Sequence, residues 1–259
     1  MNHSIWIGYE PREAEAFAVA RQSLRKHAPG VPIHAVVLQE LRDAGLYQRP
    51  TSTRDGRLWD DISEAPMSTE FAISRFFVPK IAGTQWAVFM DCDFLALSNL
   101  SGLLGKLNPT KAVMCVQHKH APTNKTKMDG QIQTQYARKN WTSMSVWNTR
   151  HPGIERLTSE MINTLPGRDL HRLCWLYDYE IGALPVEWNY LVGHSKMPEG
   201  KRPKLVHYTD GIPSMAGYEA CEYADEWRAE RAEWFAQEVY VRGRPSTWQR
   251  PAYTNGATR

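Results

Sequence analysis

The 259-residue sequence has only four cysteines, Cys92, Cys115, Cys174 and Cys221, and no two of them form a Cys-x-x-Cys pair. A zinc knuckle or a disulfide framework is therefore not expected, and a reducing cytoplasmic setting is the simplest reading. No run approaches the roughly 18 consecutive apolar residues that a membrane helix needs. Met1-Asn2-His3-Ser4 lacks the basic and apolar stretches of a secretory leader. Charge of one sign is also lacking: 31 Lys+Arg against 28 Asp+Glu leaves a formal net charge of +3, so neither a strongly basic nor an acidic tail protein is indicated. What is present is an apolar fraction of 42 %, enough at this length to bury a sizeable core.

The opening reads strand, helix, strand, the unit of α/β sheets. Ile5-Trp6-Ile7 runs into Gly8; Pro11 suits a first helical position, with Glu13 in the first turn. Ala14, Phe17, Ala18 and Leu24 form one apolar face, Ala28-Pro29-Gly30 stops the helix, and Ile33 to Leu38 is a second strand. Residues 40–67 are polar and rich in turn formers, and read as a long loop. Ser68 is expected to cap a helix running to about Pro79, with Glu70 near its positive end. Strands follow at 86–90, 94–97, 112–116 and 144–147, with shorter ones near 183–184 and 205–206; helices are expected at 99–107, 153–164 and 219–240. In the last of these, Tyr223, Trp227, Trp234 and Phe235 read as a face docked on the core. With no internal repeat or linker, the expectation is one domain over residues 1–242 and a Pro/Gly-containing tail over 243–259.

Chemistry concentrates at Asp91-Cys92-Asp93, between two apolar runs. In an extended chain residues i and i+2 share a face, so the two carboxylates would repel each other at the edge of a core. A divalent cation or an arginine relieves that repulsion; a solvated turn is the plain alternative. Arg75 falls on a helix face with Phe71, Val78 and Ala82, so its guanidinium requires an anion. That anion could be an internal Asp or Glu, or the phosphate of a ligand. His207 ends an apolar run, and beside two carboxylates it would complete an oxygen-plus-imidazole site suited to Mn²⁺, or Mg²⁺.

Taken in order, Ile5–Tyr9, Ser74-Arg75-Phe76 with Val78-Pro79, Val88–Asp93 and Val206-His207-Tyr208 resemble the metal-dependent glycosyltransferases of the GT-A fold, closest to family 8 and its bacterial relatives. The resemblance implies a single α/β domain with a mixed, mostly parallel central sheet flanked by helices. It implies a nucleoside-diphosphate-sugar donor, most often a UDP-sugar, in the N-terminal half and an acceptor in the C-terminal half. Carried over by position, Gly8 and Tyr9 would lie at base and ribose, and Arg75 and Asp91 at the donor. Asp91, Asp93 and His207 would bind the metal bridging the diphosphate. Asp178-Tyr179-Glu180 and Trp188-Asn189 resemble the sugar- and acceptor-side segment, with Asp178, Glu180 and Asn189 as its catalytic side chains, and Asn148 resembles a residue lining the same cleft. Retention of anomeric configuration is implied; an inverting reaction would need Asp178 or Glu180 as base.

One departure stands out. The family carries a Lys-Pro-Trp segment after the histidine, whereas here the run is His207-Tyr208-Thr209-Asp210-Gly211-Ile212-Pro213. Leaving-group charge would then fall on the metal and on Arg75, Lys80 or Arg202. Residues 118–140 gather His118, Lys119, His120, Lys125, Lys127, Arg138 and Lys139 against Asp129, with Tyr136 and Trp141 alongside. They read as a solvated loop or as a cationic acceptor loop for a glycan, a lipid-linked glycan or a nucleic acid. A DNA-modifying sugar transferase, a nucleotidyltransferase and a non-catalytic nucleotide-sugar-binding protein are the alternative readings.

Overall fold

The computed structural model describes residues 2–118, 138 and 140–241. Its main sheet has six strands in the order β10-β8-β9-β6-β1-β2: β1 (His3–Tyr9), β2 (Ile33–Val37), β6 (Trp86–Met90), β8 (Val113–Val116), β9 (Met144–Asn148) and β10 (Ile181–Leu184). Only β9 runs against its neighbours, β6 and β8; the other pairs are parallel. This is the mixed, mostly parallel α/β architecture expected. Strands β6, β8 and β9 are buried at every position, the pattern of strands covered on both faces.

The chain passes from β1 to β2 on one side and later returns to β6 on the other side of β1. The order therefore reverses between β1 and β6, and open α/β sheets place ligands in the crevice at the carboxyl ends of such strands. Gly8 and Asp91 sit at those two ends, just beyond the Ile7–Met90 pairing.

A second sheet, β11-β12-β7, joins β7 (Phe94–Ala96) antiparallel to β12 (Leu205–His207), which lies parallel to β11 (Tyr190–Leu191). The helix Ala14–His27 packs between β7 and the C-terminal helix Ala224–Val241. Ser23 Oγ accepts from the Ala96 N–H at 3.0 Å, and Lys26 reaches Glu230 and Glu233 at 2.7 and 3.0 Å. On the C-terminal helix Trp227 is buried as expected, but Phe235 is exposed, so the aromatic set does not form one docked face.

Residues 40–67 are not the long loop expected. They hold the end of a helix, Leu38–Asp43, and an antiparallel sheet of β3 (Thr51–Arg54), β4 (Arg57–Asp60) and β5 (Ala65–Pro66). Asp55 and Gly56, at φ 51° and 72°, form the two-residue turn whose twist matches a hairpin. Buried Arg49 fixes it from inside: Nε donates to Asp60 Oδ1 at 2.9 Å, and Nη1 to the Ile162 and Leu165 carbonyls at 2.7 Å. The helix expected from Ser68 is three pieces, α over Phe71–Ser74, 3₁₀ over Arg75–Phe77 and α over Val78–Ile81. Pro79 has no N–H to continue the ladder, and a tightened turn precedes it. The Glu70 N–H near its start is met by Glu10 Oε2 at 3.1 Å, from the end of β1 rather than from Ser68. The helices expected at 99–107 and 153–164 shorten to Ser101–Leu104 and to the pair Pro152–Glu155 and Ser159–Thr164.

Gly8 has a packing reason to be glycine. A Cβ there would lie 2.4 Å from the Phe71 ring, the ring that seats the broken helix on β1. Gly8→Ala is expected to cost about 1–3 kcal/mol, read from urea unfolding, and Phe71→Leu in the same chain should recover part of it. A fully stable G8A protein would show that Phe71 moves aside freely.

Candidate active site

Strand β6 ends at Met90, and the Asp91 N–H carries its pairing with β9 one residue further by donating to the Ser143 carbonyl at 2.9 Å. Cys92 and Asp93 make a turn, the Asp93 carbonyl accepts from the Tyr208 N–H at 3.0 Å, and Phe94 enters the small sheet opposite His207. This sheet-to-sheet step, rather than a continuous extended strand, leaves both carboxylates partly exposed, one beside Arg75 and the other beside His207. Cys92 points inward; its Sγ donates to Glu13 Oε2 at 2.8 Å, and burial beside Glu13 and Asp93 pushes the thiol well above its ordinary range.

His207 Nε2 lies 3.3 Å from Asp93 Oδ1, and its ring stacks on Phe94 at 4.4 Å between centroids. One ligand atom from each of Asp91, Asp93 and His207 falls within 4.8 Å of the others. Bonds of about 2.2 Å to a single ion demand separations of roughly 3–4.4 Å, so small side-chain closure suffices. Two hard carboxylate oxygens and one imidazole nitrogen form a donor set for a divalent cation with open positions, and the residues fit Mn²⁺ or Mg²⁺.

Arg75 is buried, and the anion it requires is Asp91: Nη1 lies 2.8 Å from Asp91 Oδ1 and 2.8 Å from the Thr142 carbonyl. Nε donates to the Phe71 carbonyl at 3.2 Å, and the guanidinium carbon lies 4.8 Å from the Phe89 ring centroid. Thr142 Oγ1 in turn meets His171 Nδ1 at 2.6 Å; burial and the Arg75 charge push that imidazole down to about 3, so it is neutral. At the end of β1, Tyr9 packs edge-on against Phe17. Glu10 pairs with Arg12 at 2.9 Å, and burial together with Glu13 pushes its carboxyl up to about 7.

Asn189 joins the site from behind the imidazole, its Oδ1 3.1 Å from His207 Nδ1. Asp178 and Glu180 are not brought there. They immediately precede β10, whose first residue pairs with the first residue of β8, at the end of the sheet opposite the Asp91 end of β6. Asp178 is exposed and pairs with Arg138, while buried Glu180 pairs with Arg156 and accepts the Tyr177 N–H at 2.9 Å. Asn148 belongs to that far end too, opposite Trp86, where its Nδ2 donates to the Pro109 carbonyl at 3.1 Å. Of the cations named as substitutes for the missing lysine, Arg75 alone contacts a carboxylate of the Asp91–Asp93–His207 cluster. Lys80 donates to the Ile154 carbonyl at 2.9 Å, and Arg202 pairs with Glu226 at 3.1 Å. Most of the basic stretch 118–140, and the tail 243–259, fall outside the described residues.

Residues missed in the sequence are Glu13, Ser143 and Thr142, whose contributions are long-range, and Asp210. A cleft of about 270 Å³ opens beside Asp93, walled by Glu13, by Tyr208–Ile212 after His207, including Asp210, and by Met215. Among the described residues that line it there is no lysine or arginine. A diphosphate entering this cleft therefore meets carboxylates from several sides unless a divalent cation stands between.

The fold is shared with solved glycosyltransferases of the GT-A type. The chain aligns with the WbbM bifunctional glycosyltransferase (TM-score 0.59, 16 % identity, 93 % of this chain and 51 % of that one). It aligns equally with GlyE of Streptococcus pneumoniae TIGR4 (0.59, 13 %, 95 % and 65 %). The galactosyltransferase LgtC, solved with donor and acceptor sugar analogues, gives 0.56 at 15 % identity over 93 % of this chain and 99 % of that one. The chain thus spans about half of the WbbM structure and just under two thirds of GlyE. No protein-family model matches it. Its sequence is 41 % identical over 235 residues to Protein CDI of Arabidopsis thaliana, covering 89 % of this chain and 86 % of that protein, and the chain belongs to that protein's family. No helix among the described residues is long and apolar enough to cross a membrane.

Proposed function

We propose that this protein is a metal-dependent glycosyltransferase that moves a sugar from a nucleoside-diphosphate sugar, most simply a UDP-sugar, onto an acceptor. The observation that carries the reading is the convergence of Asp91, Asp93 and His207 beside the carboxyl ends of β1 and β6 in a GT-A-type fold. Asp91, Asp93 and His207 would hold the cation. When bound, it supplies Lewis-acid stabilisation of the negative charge that develops on the departing diphosphate. The protein's own part is positioning: Arg75 clamps Asp91, Phe94 braces the His207 ring, and the end of β1 with Gly8 and Tyr9 offers the nucleotide its shelf.

The placement of Asp178 and Glu180 away from the metal ligands supports transfer with retention, because neither carboxylate is beside the site to act as an inverting base. An inverted product would instead direct attention to Asp210 on the cleft wall. The family 8 assignment, Mn²⁺ as the cation, a glycan, lipid-linked or nucleic-acid acceptor and a cytoplasmic site of action belong to this same proposal.

The expected result is that UDP binds in the presence of Mn²⁺ and weakens on the order of 100-fold when EDTA replaces it, since the cleft is walled by carboxylates. Calorimetry of UDP with and without Mn²⁺, alongside hydrolysis of a panel of UDP-sugars, checks this. Equal UDP affinity in EDTA would remove the metal from the reading. Release of UDP from none of the sugars, despite tight Mn²⁺-dependent binding, would favour the non-catalytic binding protein.

A further inference from the structure

Behind His207 lies a chain of three hydrogen bonds in the core. The Asn140 carbonyl can only accept, so the Ser143 hydroxyl donates to it, at 2.8 Å. With its one proton committed, Ser143 Oγ accepts from Asn189 Nδ2 at 3.0 Å. That contact settles which end of the Asn189 amide faces the imidazole: it is the carbonyl, 3.1 Å from His207 Nδ1. A carbonyl oxygen cannot donate, so Nδ1 must carry the proton. The lone pair of the neutral ring is then on Nε2, the nitrogen that lies 3.3 Å from Asp93 Oδ1. Asn189 is fully buried and Ser143 and His207 nearly so, which leaves water no easy access with which to scramble the order.

We infer that Asn189 is a positioning residue of the metal site: locked by Ser143, it holds His207 in the one tautomer whose Nε2 can ligate a cation. This rests on the metal reading above and deepens it. The order originates in a fixed acceptor, the Asn140 backbone carbonyl, and passes through two side chains to a ligand on another strand. Outer-shell partners of this kind, which set the tautomer and aim of a ligating histidine, change metal affinity by about 10–100-fold when removed.

The test titrates Mn²⁺ calorimetrically into the wild-type protein and the Asn189→Leu, Asn189→Asp and Ser143→Ala variants. Nitrogen-15 NMR of the His207 ring in metal-free protein reports the tautomer directly. Asn189→Leu is expected to weaken Mn²⁺ about 10–100-fold. Asn189→Asp should bind at least as tightly as wild type, since a carboxylate accepts the same Nδ1–H and makes the ring a stronger donor. Ser143→Ala should cost only a few-fold, about the worth of one neutral hydrogen bond, because Asn189 is then free to flip. The ring spectrum should show the proton on Nδ1 in the wild type and in N189D. Wild-type Mn²⁺ affinity in a folded N189L protein, or a proton on Nε2 in the wild-type ring, would overturn the positioning role while leaving the metal site standing. Absence of Mn²⁺ binding to the wild type would overturn both. Should N189L not fold, the ring spectrum and the N189D and S143A titrations still decide.

Discussion

Replacing Asp93 with asparagine is expected to lower sugar transfer on the order of 10³-fold while leaving the protein folded. The size follows from the role proposed for the carboxylate: together with Asp91 it would supply the negative charge that binds a divalent cation, and the cleft beside it has carboxylates but no lysine or arginine among its described lining residues to take over the diphosphate. Asparagine keeps the shape and loses the charge. The fold should tolerate it because the Asp93 side chain is partly open to solvent and its backbone carbonyl, not its carboxylate, carries the Tyr208 bond. Relieving repulsion between neighbouring carboxylates should leave the melting temperature unchanged or slightly raised. Transfer at varied Mn²⁺ and a thermal melt check both halves; near-wild-type turnover by D93N would remove this motif from the chemistry.

Arg75→Met should unfold the protein more readily by about 3 kcal/mol in urea titrations, the scale of breaking a buried ion pair from one side. Methionine fills the space beside Phe71 and Phe89 but leaves the Asp91 carboxylate without its guanidinium and the Thr142 carbonyl without a donor. Lysine is not expected to rescue it, since one ammonium cannot reproduce a planar fork that reaches Asp91, Thr142 and Phe71 together. The double variant R75M with Asp91→Asn should be less destabilised than the sum of its parts, because the stranded charge is gone. Additive losses, or an R75M protein as stable as wild type, would mean that Arg75 and Asp91 are not energetically coupled.

Much of this site was legible along the chain. Asp91 and Asp93 between two apolar runs, an arginine on an apolar helix that required an anion, and a histidine closing a late strand are local signals, and all three meet in space. Other features carried a signal that polarity masked: Asp55-Gly56 announces a hairpin turn, yet the surrounding arginines and aspartates made residues 40–67 read as loop. The apolar contribution there is small because buried Arg49 and Asp60 take the place of a hydrophobic face. For Asp178 and Glu180 the sequence offered only residue types suited to a catalytic role; sheet register sets them at the end of the strands away from Asp91, and register is invisible in a single segment.

The sequence by itself determined the α/β class, the carboxylate pair and the demand for a counter-charge, since apolar periodicity and the cost of burying charge act over a few neighbouring residues. Only the tertiary structure decided which anion Arg75 takes, that His207 reaches Asp93, and that Asn189 stands behind the imidazole rather than in the cleft. Those outcomes depend on strand order and register between β6, β7, β9 and β12, where residues far apart along the chain are set side by side by backbone hydrogen bonds that any sequence can form.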